Sequence, residues 1–87
     1  MISFDYIIKD EMGLHARPVG ALAKAAAAYR TTNFTISHNG KSVDGKRMFA
    51  VLGLQVNKGE TISITIEGEE EQELADKVRS ILQSENL

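Results

Sequence analysis

Cysteine and tryptophan are both missing from this 87-residue chain, and proline occurs once. Without cysteine there can be no disulfide, no thiolate metal site and no thiol chemistry. Two histidines leave a zinc site dependent on carboxylates, and no HExxH-type spacing is present. A net charge of −2 lacks the basic excess of a nucleic-acid binder. No window approaches the roughly 20 apolar residues of a membrane span, and Met1 to Tyr6 has no basic, signal-like start. These absences predict a cytoplasmic protein that neither inserts in membranes nor binds nucleic acid.

What is present is ordinary for a globular domain: 43% apolar and 25% charged residues. A chain of this size buries roughly 60% of its unfolded surface, enough for one core, so residues 1–87 are expected to form one domain. Ile2, Phe4, Tyr6 and Ile8 alternate with Ser3, Asp5 and Ile7, which predicts a strand over 2–8. Gly13 breaks that pattern. A helix is expected from Ala16 to about Tyr29, with Pro18 in its first turn and Val19, Leu22, Ala23 and Ala26 on one face.

Phe34 to His38 and Lys41 to Asp44 read as a hairpin around Asn39-Gly40. A short apolar helix follows from Met48 to about Gly53, then a strand over Thr61–Glu67 with Ile62, Ile64 and Ile66 inward. Leu74, Val78, Ile81 and Leu82 space a last helix from about Glu69 to Ser84. The order βαββαβα predicts an α+β open-faced sandwich, a four-stranded antiparallel sheet with three helices on one face.

Chemistry concentrates in Gly13-Leu14-His15-Ala16-Arg17-Pro18. His15 falls at a helix start, where unpaired backbone N–H groups and the helix dipole favour an anion. A phosphoryl group on its ring would meet the N–H groups of Ala16 and Arg17, and the Arg17 guanidinium could add charge-assisted hydrogen bonds. Residue types alone leave two readings open, an idle loop histidine or a covalent phosphohistidine. No second catalytic partner is read near it, and 87 residues leave little room to enclose a substrate. His38 reads as structural or solvated, with no positioned partner. Gly40-Lys41-Ser42 imitates the end of a P-loop, but the earlier glycine position holds Thr35 and a hairpin surrounds it.

The Gly13–Pro18 motif resembles the active-site motif of the HPr family, the histidine phosphocarriers of the bacterial phosphotransferase system. Asn39–Val43, Lys46–Leu54, and Lys58-Gly59 before the Thr61–Glu67 strand stand in HPr-like order. The resemblance therefore spans nearly the whole chain. It implies that His15 accepts phosphate on Nδ1 from phosphorylated Enzyme I and passes it to IIA domains of sugar transporters, with Arg17 stabilising the phosphate. It implies a carrier and not an enzyme, without cofactor or metal, expected as a monomer. The docking face would include Ala16, Gly20, Lys24, Arg47, Met48, Phe49 and Leu52. One short helix cannot bury all of Met48, Phe49, Val51, Leu52 and Leu54, so part of it should be an exposed patch.

Two positions depart from the family's pattern. Met12 stands where relatives often carry a small polar residue, and Arg47 stands where many Gram-positive members carry a regulatory serine. Lys24, Lys46 and Arg47 are expected to add positive charge near His15. Two other readings stand beside the sugar carrier. One is an HPr-like carrier of a regulatory or nitrogen-linked branch, and the other is a non-phosphorylated binding module on the same fold.

Overall fold

The computed structural model describes residues 1–87. Its elements are β1 (Ile2–Ile7), α1 (Ala16–Ala27), β2 (Thr32–His38), β3 (Lys41–Asp44), α2 (Met48–Leu52), β4 (Thr61–Gly68) and α3 (Glu71–Ser84). The four strands form one antiparallel sheet in the order β1-β4-β2-β3. β1 and β2 thus run parallel with β4 inserted between them, and β3 and β4 run parallel around β2. Each pair is joined through a helix, the α+β arrangement that the alternating patterns predict.

Apart from Ile7, register places the apolar residues of the strands on one face. Phe4 opposes Ile64, Tyr6 opposes Ile62, and Phe34 opposes Ile66. Ile36 stands opposite both Ile64 and Val43. Because side chains alternate along a strand, this register sends Ser3, Asp5, Ser63 and Thr65 to the other face. Ser63 donates there to Asp5 at 2.8 Å, and Ser3 lies 3.3 Å from Thr65. Ile7 interrupts the polar side and stays exposed.

Helix residues close the core over the apolar face: Val19, Leu22 and Ala26 from α1, Val51 from α2, and Leu74, Val78 and Leu82 from α3. The short second helix divides as its composition requires. Val51 and the following Leu54 are buried, Met48 and Leu52 pack partly against the core, and Phe49 is 81% exposed.

Element boundaries shift by one to two residues at several ends. α1 stops at Ala27, and Tyr29 folds inward as a buried residue that donates its N–H to Ala26. α3 begins at Glu71 because Gly68 leaves the strand at φ 153° and the Glu71 carboxylate accepts the Gly68 N–H at 3.2 Å. β2 starts earlier than its apolar pattern, at Thr32, which faces Gly68 across the sheet. Asn39 and Gly40 take φ values of 50° and 81°, as a two-residue hairpin turn requires.

His38 is buried on β2, not solvated, and its Nε2 lies 3.3 Å from Glu60 Oε1 without hydrogen-bond geometry. An acidic neighbour from the turn before β4 is therefore present where none is legible in the sequence.

Candidate functional site

The segment between β1 and α1 is pinned from three sides. Ile8 continues the sheet by donating to the Glu60 carbonyl at 2.9 Å and accepting from Gly59 at 2.7 Å. Lys9 and Asp10 donate their N–H groups to the Leu87 carbonyl. Leu87 is itself wholly buried. Gly13 donates to Asp10 at 2.9 Å and Leu14 to Val56 at 3.1 Å, and the Leu14 side chain enters the core.

His15 follows as the N-cap of α1, with extended backbone at φ −120° and ψ 174°. Its carbonyl accepts the Val19 N–H at 3.2 Å, which starts the helix. No side chain caps the helix and Pro18 has no N–H, so the Ala16 and Arg17 amides remain for an anion. The first turn carries no acid that would repel one.

The ring of His15 has a partner that no sequence pattern announces. Its Nε2 lies 2.8 Å from Asp10 Oδ2, and both side chains are about four-fifths buried. The other Asp10 oxygen accepts the Met12 N–H at 2.9 Å. Those two contacts, Met12 first and His15 second, hold the Asp10 carboxyl below its ordinary value. Met12 takes part through its backbone while its side chain is exposed. A carboxylate therefore stands beside the ring where the sequence showed no partner. The missed signal is Asp10 in Asp-x-x-Gly-x-His, five residues before the ring. No helical or strand period links such a pair, and only the turn closed by the Gly13 N–H brings it together.

Arg17 is 75% exposed and its Nε lies 3.3 Å from Glu85 Oε1. The tail after α3 thus reaches the site twice, through Glu85 to Arg17 and through Leu87 to Asp10.

Beside this site α1 packs on α2. A Cβ added at Gly20 would lie 3.4 Å from Met48 Sδ, so the two meet across the helix pair. Ala16, Lys24, Arg47 and Phe49 are exposed, while Gly20, Met48 and Leu52 are half-buried. Lys24 lies in the last turn of α1, at the end away from His15, and the side chain of Lys46 reaches that end too. The Lys46 ammonium donates to the Tyr29 carbonyl at 2.7 Å, beyond the C-terminus of α1. A 12-residue helix separates it from His15 by about 18 Å of rise.

Sequence and fold comparisons place the chain among known proteins. It matches the family model described as "PTS HPr component phosphorylation site" over residues 2–84. It is 36% identical over 84 residues to the phosphocarrier protein HPr of Borreliella burgdorferi, covering 97% of this chain and 96% of that protein. A histidine-containing phosphocarrier protein from a structural study of Mycoplasma shares the fold with a TM-score of 0.89. The identity there is 31%, over 93% of this chain and 91% of the other. HPr-C-His of Thermoanaerobacter tengcongensis gives 0.87 at 25% identity, over 97% and 93% of the two chains.

The class is therefore a phosphocarrier on an open-faced α+β sandwich. This chain belongs to the HPr family of the phosphotransferase system. No helix is long and apolar enough to cross a membrane.

Proposed function

We propose that this chain accepts a phosphoryl group on His15 Nδ1 from phosphorylated Enzyme I and delivers it to IIA domains of sugar transporters. The observation that carries the reading is the state of the His15 ring at the N-cap of α1. One ring nitrogen is engaged by Asp10, which leaves the other as the nucleophile beside the uncapped Ala16 and Arg17 amides. Arg17, now resting on Glu85, supplies a mobile cation for the phosphoryl oxygens. The ring is partly exposed and nothing encloses it, which suits presentation to larger partners better than turnover of a small substrate.

In this reading the protein works as a monomer in the cytoplasm, without a cofactor. It docks through Ala16, Gly20, Lys24, Arg47, Met48, Phe49 and Leu52. Phe49, the most exposed large apolar side chain, is the natural anchor of that face. Incubation with phosphoenolpyruvate and Enzyme I is expected to label the protein with an acid-labile, base-stable phosphoramidate. His15→Ala should remove the label. Label persisting on that variant, or never reaching the parent, would refute the carrier reading and leave a binding module on the same fold.

A further inference from the structure

We propose that Asp10 is the positioning residue of the carrier. It accepts the Nε2 proton of His15, fixes the ring as the Nε2–H tautomer with Nδ1 unprotonated, and stays paired with the ring after phosphorylation. The proposal rests on the phosphocarrier reading of His15 and adds to it a second residue with a defined task.

Asp10 is built into place by every polar group it owns. Its N–H donates to the Leu87 carbonyl at 3.1 Å, and its carbonyl accepts from Gly13 at 2.9 Å. Its Oδ1 accepts the Met12 N–H at 2.9 Å, and its Oδ2 faces Nε2 at 2.8 Å. With one oxygen committed to a backbone donor, the carboxylate remains ionised at neutral pH. An ionised carboxylate can only accept hydrogen bonds, so Nε2 must be the donor. In a neutral imidazole the proton on Nε2 leaves the lone pair on Nδ1. The carboxylate thus selects the nucleophilic nitrogen as well as the orientation of the ring.

The same contact has a second consequence during transfer. The Nδ1 lone pair forms a bond to phosphorus while the bond from phosphorus to the donor atom of phosphorylated Enzyme I breaks, its electron pair remaining on the donor. The Nε2 proton of His15 does not move, so the ring becomes formally an imidazolium that carries the phosphoryl group. The Asp10 anion then faces a cation at hydrogen-bond distance, a stronger contact than before transfer. Passing the phosphoryl group on reverses each of these changes. Asp10 therefore stabilises the product of loading over the neutral ring.

Nitrogen-15 NMR of the unphosphorylated protein reads the tautomer directly. With the ring neutral, the parent is expected to show a pyrrole-type Nε2 and a pyridine-type Nδ1. Asp10→Asn keeps an oxygen for the Met12 N–H and so preserves the turn. Its amide can face Nε2 as either donor or acceptor, and a mixture of tautomers should result. Loading by Enzyme I should slow by roughly tenfold or more, the usual cost of losing such an orienting group. Asp10→Ala should behave alike where it folds. An Nδ1–H ring in the parent would overturn the proposal, as would an Asp10→Asn protein with one tautomer and an unchanged loading rate. Since the NMR experiment needs no phosphate, the role of Asp10 is tested separately from whether Enzyme I labels His15.

Discussion

A Cβ placed on Gly13 would collide with the carbonyl oxygen of Val56, the same oxygen that accepts the Leu14 N–H at 3.1 Å. Gly13 also sits at φ 67°, where a side chain meets its own backbone. This close approach sets the path of the chain into His15. Gly13→Ala therefore combines a left-handed backbone with a contact that cannot relax without moving the strand-to-helix turn. A stability loss on the order of 2–3 kcal/mol is expected in urea denaturation. The His15 resonances should shift as well, because Asp10 and Gly13 share a hydrogen bond.

Arg17 meets Glu85 at the surface, and exposed pairs contribute about 0–1 kcal/mol. Arg17→Ala should leave the melting temperature nearly unchanged. Phosphoryl transfer is a different matter, since one charge-assisted contact in the transition state is worth about 2–4 kcal/mol. Transfer to and from partners is expected to slow by up to roughly a hundredfold in rapid-quench assays. Equal rates for parent and variant would remove Arg17 from the mechanism.

The element order and the core faces were legible because each obeys a single period. Ile62, Ile64 and Ile66 declare a strand by alternation, and Val19, Leu22 and Ala26 declare a helix face by their three-to-four spacing. His15 was legible through its motif and its place before Pro18. Asp10 was not, because its contact is made by an irregular turn whose path depends on Val56 and Leu87, remote in sequence. Glu60 beside His38 escaped for the same reason. Lys46 was misplaced because sequence proximity to Arg47 says nothing of which end of α1 a long side chain reaches.

Phe49 is 81% exposed, so it contributes little to the core. Phe49→Ala should change stability by less than about 0.5 kcal/mol in denaturant titration. If the α1–α2 face docks on Enzyme I, losing an exposed aromatic anchor should weaken that complex about tenfold or more by calorimetry. An unaltered complex would move the docking site elsewhere.

Asp10 also gives the fold a defined acid dependence. Its carboxyl is held below the ordinary 3.8 by the Met12 N–H and then by His15, so the folded protein binds fewer protons there than the unfolded chain. The stability Asp10 contributes is complete above that ordinary value and is lost as pH falls through the depressed one. The advantage in melting temperature of the parent over Asp10→Asn should therefore shrink as the pH falls below about 4. A difference that keeps its full size well below that pH would contradict the assignment.

Arg47 is the N-cap of α2, at φ −106° and ψ 97°, and no side chain caps that helix. Asp44 does not compensate, because its Oδ1 accepts the Lys46 N–H at 2.9 Å and closes the preceding turn instead. A guanidinium offers only donors to free N–H groups, and a cation beside a helix N-terminus is mildly unfavourable. A serine in the same extended backbone would accept one of those N–H groups. Arg47→Ser is therefore expected to stabilise the protein by up to about 1 kcal/mol, read from thermal or urea unfolding. The arginine also removes the hydroxyl that a serine kinase of the family would modify. Incubation with such a kinase and ATP should leave the parent unlabelled, while Arg47→Ser restores an acceptor whose phosphate would face the start of α2. Labelling of the parent would point to Ser42, an exposed hydroxyl on β3 that lies 2.6 Å from Ser37 Oγ. Loss of that label in Ser42→Ala would then show that the regulatory position lies on the hairpin and not at the helix cap.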